Sequence, residues 1–545
     1  LPQILQGTNA AALAGVDDAY ILIQPPNSGA IPNAQTNVLG FGGSATWGAL
    51  NVAAIIGSGQ DLVTNYGSPT TATYDMPTDV NNALRSGANN VRAFRISDGT
   101  DVAAVLKIPD TAAAFIATLT GRFTGSLPNA TTNSPGSTVR VDTGSNSTTV
   151  VPSFRVTISF PNVPAEVYDN IVGGAASAYV AATFIANVVN AINGTPALSA
   201  LRPASAFYVA SAGASTIAPL LATNTALATL GADGSTFATA AVATTNGLGS
   251  DTAIPKTGMY SLSGVIGGGL FALSGNTDLV GTGSAAVAFA QRENAIFVGS
   301  FPTGTSTLSA LTIKQTSGIA SYSAFLVKDF SEFTDNVNNV INRRVSSTAF
   351  MAARTAVTSP ETSPANQRIN IITGTERTGA VLQSPYSPAE LFALEAAGIN
   401  VITNPVPGGN YFGIRHNKNS LGASDPRGNM AYSRMTQFIA QSLNSILLGG
   451  FVGLAQSRQP NDPVRARARA LLSDFFQPLL DGGVIDSFQI ACDLRNNTPA
   501  AIASGVLRAD ITVVYLAIVD KFIASLTGGQ TVSLSLTPGT VTAQT

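Results

Sequence analysis

Regular helix and strand punctuation occupies both ends of this chain and breaks off in the middle. Up to about Gly99, strand signals (Val38 to Phe41, Val52 to Ile56, Val91 to Ile96) alternate with helix signals (Gly59 to Asn65, Thr78 to Arg85). Ser58 stands where a helix cap belongs, and Gly67 and Gly87 where helices end. Between about 100 and 280 the chain is rich in Ala, Thr, Ser, Gly and Asn, and Ala204 to Ala232 holds no charged residue. Short alternating runs such as Val139 to Val141 and Phe154 to Ile158 lie between Gly/Pro/Asn clusters, with one helical stretch near Ala178 to Ile192. This zone reads as a mostly β insert domain at the surface. From about Ala285 the α/β signals resume. A strand is expected at Ala295 to Val298, a helix at Ser331 to Arg343, and a strand at Ile369 to Ile372. Helices follow at Ala389 to Ala397 after Ser387-Pro388 and at Pro463 to Leu480 behind the cap Asp462. A short helix at Thr498-Pro499 and an apolar strand at Ile511 to Val519 complete the pattern. No period of 20 to 50 residues recurs, which argues against a solenoid.

Charge narrows the function. The 545 residues carry 28 basic and 30 acidic side chains, 11% of the composition, with net charge −2, against about 25% charged in an ordinary soluble chain. With 45% hydrophobic residues the chain folds rather than remaining disordered. It lacks the basic field that nonspecific nucleic-acid binding requires. Weak charge repulsion gives little protection against association, so self-assembly is expected. The start Leu1 to Leu5 has no basic stretch leading into an apolar run, so no signal peptide is expected. The uncharged stretch Thr436 to Ser457 carries a polar stripe (Gln437, Gln441, Asn444) opposite Ile439, Leu443 and Ile446. It reads as an amphipathic helix stopped by Gly449-Gly450 rather than a membrane span, and the protein is expected to be soluble.

Catalytic and metal chemistry find little support. The lone Cys492 excludes an intrachain disulfide and reads as a buried inert thiol. The lone His416, between Arg415 and Lys418, has no partners for a zinc site or a proton relay. There is no GxSxG elbow and no Gly-Lys pair for a phosphate loop. Gly281-Thr282-Gly283 is the best dinucleotide-like match, but the following strand ends in Gly299-Ser300-Phe301 without a ribose-binding acid. Loop closure is the simpler account of those glycines and of Gly267 to Gly269. Glu390, Glu395, Asp474 and Asp486 fall in helix and turn contexts suited to caps and solvated faces. No catalytic, cofactor-binding or metal-binding residues are assigned. Arg465 and Arg469 share a helix face at i, i+4, an unfavourable like-charge spacing. They read either as a solvated face or as contacts to an acidic partner.

The ordered series Val38-Leu39-Gly40-Phe41-Gly42-Gly43-Ser44-Ala45-Thr46-Trp47-Gly48, Gln60 to Gly67 and Ala83 to Arg95 resembles the tail sheath proteins of contractile bacteriophages and related injection machines. So do Gly398 to Val401, Gln459-Pro460-Asn461-Asp462-Pro463, Gly483 to Ile485, Cys492-Asp493 and Asn496 to Pro499. The resemblance covers the first hundred residues and the last hundred and fifty or so. It implies an α/β (α+β) discontinuous sheath core built from both chain ends, with a mostly β insert domain facing outward. The corresponding divisions are an arm at 1–23, a middle α/β domain at 24–99 plus 281–397, the insert at 100–280, a tube-facing domain at 398–528, and an arm at 529–545. Subunits of this family stack as hexameric rings around a tail tube, with baseplate and tail terminator proteins as further partners. Contraction drives the tube through the host envelope without nucleotide hydrolysis, cofactor or membrane insertion. The implied location is the virion tail, assembled in the host cytoplasm.

The arms have a physical rationale of their own. A domain assembly of this length has a radius of gyration of roughly 24 Å, whereas seventeen residues extend to roughly 55 Å. Either arm can therefore reach a neighbour. Tyr20-Ile21-Leu22-Ile23 and Thr531-Val532-Ser533-Leu534-Ser535-Leu536 are the candidate inter-subunit strands, and Arg465 and Arg469 the candidate tube contacts. The alternative from another class is a secreted or surface-layer β-rich polymer, which would carry a signal peptide and repeated domains.

Overall fold

The computed structural model describes residues 3–6, 20–23, 35–112, 114–131, 135–148, 151–175, 178–194, 203–234, 240–377 and 385–520. Its centre is an eight-stranded sheet in the order Gly413–Ile414, Ile399–Thr403, Ala324–Lys328, Ile296–Ser300, Leu270–Leu273, Leu39–Gly43, Val91–Arg95, Ala54–Ile56. The six inner strands are parallel, and only the two edge strands run antiparallel to their neighbours. Strands buried on both faces are mostly apolar; all five residues of 39–43, 296–300, 324–328 and 399–403 are buried, with Ser300, Lys328, Asn400 and Thr403 as the polar exceptions.

Side chains alternate between the two faces. Leu39, Phe41, Leu270, Ala272, Ile296 and Val298 join one core with helices Gly59–Tyr66, Met76–Arg85 and Thr348–Val357. Phe271, Leu273, Phe297, Leu326 and Val401 join the other with helices Leu279–Arg292, Thr307–Ser317 and Pro388–Ala396. The glycines of Leu39-Gly40-Phe41-Gly42-Gly43 follow from this alternation: a Cβ at Gly42 would run into the Phe94 ring, and one at Gly40 into Leu262 and Phe271.

The middle of the chain builds separate sheets. Residues 103–109, 115–124 and 208–212 form a three-stranded antiparallel sheet, and 138–143, 153–159, 166–172 and 225–226 a four-stranded one. With helix Ala181–Asn193 they enclose their own core, in which Phe160 stacks on Phe207 at 4.1 Å. Trp47, from the first α/β segment, inserts into that core 5.4 Å from Phe123 and 5.0 Å from Phe160. Beside it the buried Arg95 donates to Gly48 O and Thr124 O and pairs with Asp101 at 3.3 Å. One aromatic and one charged side chain thus fasten the middle zone to the sheet.

Several expectations need correction. The sheet resumes at Leu270–Leu273, so its second half begins earlier than 281; glycine-rich 264–269 disguised the approach. A boundary at 398 would separate strand Ile399–Thr403 from the sheet to which it belongs. Ser331 to Arg343 is a hairpin, Phe330–Asp335 with Val340–Ser346, rather than a helix. Turn chemistry overrides helix propensity there: Asp335 accepts the Val337 and Asn338 N–H groups, and Asn339 adopts φ 54°. Gly281 and Gly283 lie inside helix Leu279–Arg292, not in a loop. Asp278 caps that helix, and Gly283 permits the close approach of Ile319.

The expected amphipathic helix spans Met430–Gly450, and two of its three stripe residues face protein while Asn444 is exposed: Gln437 donates to Ala295 O, and Asn294 donates to Gln437 O and Gln441 Oε1. Helix Pro463–Asp481 begins at the expected Asp462 cap and packs through Phe475 and Phe476 on the strand pair Ile485–Ala491 and Asp510–Tyr515. The latter strand stops at Tyr515, short of the expected Val519. Among the described residues no helix is long and apolar enough to cross a membrane.

Candidate assembly surfaces

The strand order reverses between Leu39–Gly43 and Leu270–Leu273, the place where open α/β sheets usually hold a ligand. Here the chain itself fills that place. Ser44 N–H donates to Tyr74 O at 2.9 Å, Met76 N–H returns a bond to Ser44 O at 3.0 Å, and the Thr73 carbonyl abuts Gly275. Asp75 caps the next helix, accepting from Thr78 N and Thr70 N. Asp79, one turn on, is buried, and its Oδ2 has no hydrogen-bond partner among the described residues. Burial and then the nearby Asp75 charge push its carboxyl up to about 7, against the opposing Ser274 hydroxyl and Arg343 charge.

Other candidate chemical groups are absorbed in the same way. Cys492 is buried, which pushes its thiol above the usual value. His416 is 7% exposed, and burial followed by the Arg415 and Lys418 charges pushes it down to about 4. Glu390 closes a capping box with Ser387 and pairs with Arg377, and Glu395 lies 3.8 Å from Lys418. Among the described residues no group of three or more His, Cys, Asp or Glu could hold a metal.

The more open surface is at the C-terminal end. Strands Ile485–Ala491 and Asp510–Tyr515 pair only with each other among the described residues, so each keeps an outer edge. Beside them lies a groove of about 550 Å³ lined by Tyr322, Pro426, Tyr432, Thr436, Val513 and Tyr515. Arg465 is not on this surface, which corrects its expected role. It is 1% exposed, donates to Ser457 O at 2.8 Å and to Gln459 O, and neighbours Asp462. Its guanidinium closes the loop leading into the helix. Arg469 is exposed. Of the expected arm strands, Tyr20–Ile23 is paired in parallel with Gln3–Gln6 of the same chain, in register Gln3 to Tyr20. Thr531 to Leu536 lies outside the described residues.

No protein-family model and no curated protein matches the chain. Solved structures do. A sheath tail protein from Desulfitobacterium hafniense superposes with TM-score 0.54 at 14% identity, covering 88% of this chain and 93% of that one. A sheath tail protein from Listeria innocua superposes with TM-score 0.55 at 14% identity, covering 89% and 96%. The fold is therefore that of the sheath tail proteins, an α/β architecture shared over nearly the whole of both partners.

Proposed function

We propose that the chain is the repeating structural subunit of a contractile tail sheath, stacking as hexameric rings around a tail tube and contracting to drive that tube through a host envelope. The observation that carries this reading is the fold shared with two sheath tail proteins across about nine-tenths of each chain. A non-catalytic role fits a sheet whose strand-reversal point is occupied by the chain's own Thr73 to Met76. The zone 103–226 is the part that would face outward, and baseplate, tail terminator and tube proteins would be the partners.

The free edges of Ile485–Ala491 and Asp510–Tyr515 are where a neighbour's arm would add a strand. Each backbone bond in such an addition is worth about 1 kcal/mol, and ordering the arm offsets part of it. Repetition over many subunits makes the linkage durable. Electron microscopy of purified chain tests the reading directly: hollow tubes or ring stacks are expected. Deleting residues 530–545 should leave folded subunits that form no extended sheath, and normal contractile sheaths from that deletion would overturn the arm assignment. Arg469 is the remaining candidate for an acidic tube surface. Arg469→Glu should weaken assembly on tubes at low salt, and unchanged assembly would place the contact elsewhere.

A further inference from the structure

Helix Pro463–Asp481 carries a second charged face, separate from the one holding Arg465 and Arg469. Arg467, Asp474 and Asp481 recur every seven residues and so lie along one stripe of the helix, drifting only about 20° per interval. All three are exposed, as are Ala470 and Gln477 between them. None has an ion-pair partner among the described residues. Arg467 rests over the Phe451 ring at 5.7 Å, and Gln477 donates to Asp481 Oδ1 at 2.7 Å, contacts that leave both charges in place.

The polarity of the stripe is informative. Helix dipoles favour acidic groups at the N-terminus and basic groups at the C-terminus, and this stripe runs the other way. The helix has no acidic residue in its first turn and no basic residue in its last, while Arg467 sits near the start and Asp481 at the end. Stabilising the isolated helix does not account for that order. The stripe instead presents a positive and a negative end about 21 Å apart, from fourteen residues at 1.5 Å each. Each end is complementary to the other end of the same surface on another molecule.

We infer that this face binds a second copy of the chain, with Arg467 of one copy meeting Asp474 and Asp481 of the next. The inference rests on the self-assembly reading and adds a specific contact to it. This contact requires no tube, arm or other protein.

The test is charge reversal with intermolecular rescue, carried out on the full chain without tube protein. The chains compared are wild type, Arg467→Glu, Asp474→Arg with Asp481→Arg, and the three changes together. The readout is the concentration at half-assembly, from sedimentation and electron microscopy at about 50 mM and about 500 mM salt, since exposed pairs are screened at the higher value. Each partial reversal should raise that concentration about tenfold at low salt, the factor expected when weak attractions repeated at every interface become repulsions. The combined reversal should return it to near the wild-type value, because complementarity between copies is restored. Unaltered assembly of the partial reversals overturns this inference and leaves the sheath reading standing. Lack of rescue in a combined variant with wild-type circular dichroism also overturns it. A wild-type chain that remains monomeric throughout overturns both readings. The neutral variants Arg467→Gln and Asp474→Asn should lie between wild type and the reversals.

Discussion

Replacing Asp79 by Asn should stabilise the protein, and by an amount that depends on pH. Asp79 is 3% exposed, in the first turn of helix Met76–Arg85, beneath the segment that fills the strand-reversal point. Burial and the neighbouring Asp75 hold its carboxyl at about 7 instead of 3.8. A folded-state value above the unfolded one means that the folded protein binds the extra proton. Stability contributed by this group is therefore complete below pH about 4, falls as pH rises toward 7, and is level above that. A displacement of roughly three units corresponds to about 4 kcal/mol at 1.36 kcal/mol per unit, an upper bound because the site can relax or admit water on ionisation. Asn has nearly the same shape and no charge to lose. Wild type and Asp79→Asn should therefore melt together near pH 4 and separate steadily, the variant melting several degrees higher at pH 8, given about 2–4 °C per kcal/mol for a domain of 150–250 residues. Melting curves followed by circular dichroism from pH 4 to pH 8 measure the gap. A gap that does not change with pH, or a variant less stable at pH 8, would refute the reasoning and mean that Asp79 is ionised and paired in the folded chain.

His416, the sole histidine, should titrate in the opposite sense. Its folded-state value of about 4 lies below the ordinary 6.5, so the stability it contributes is complete above pH 6.5 and is lost as pH falls toward 4. The single imidazole proton resonance should report a midpoint near 4, and a midpoint above 6 would show that the ring is open to water. Trp47→Ala should cost about 3–5 kcal/mol, the usual range for removing a buried large aromatic. Limited proteolysis should then cut the 103–226 zone at lower temperature than in wild type, and equal protection would mean that Arg95 and the backbone bonds beside it, Leu127 N–H to Thr46 O among them, suffice to fasten the zone.

Much of the local structure was legible because its determinants are local. Ser58, Asp462 and Ser387-Pro388 start helices where a side-chain oxygen can meet unpaired N–H groups. The strand run at 296–300 is short and mostly apolar, as strands buried on both faces usually are, and 91–95 buries Val91, Ala93 and Phe94 although it also carries Arg92 and Arg95. Ser331 to Arg343 differs because Phe333 and Val340, seven residues apart, suit a helix as well as a strand, and only the Asp335 turn with its left-handed Asn339 selects the hairpin. The charged candidates divided for a related reason. Arg465 and Arg469 look equivalent by spacing, yet the loop before the helix folds back so that Ser457 O and Gln459 O take Arg465 into the interior.

The alternation of helix and strand at both ends, the positions of most caps and the β character of the middle are written in the local sequence. Tertiary structure decided which strands became neighbours. It set Leu39–Gly43 beside Leu270–Leu273, more than two hundred residues away, and filled the resulting reversal point with Thr73 to Met76. It also gave Trp47 to the core of another zone and put Asp79 out of reach of water. Caps and periodicity act over one or two turns and can be read residue by residue, whereas pairing between distant strands, and the burial and ionisation that follow from it, depend on what the rest of the chain brings alongside.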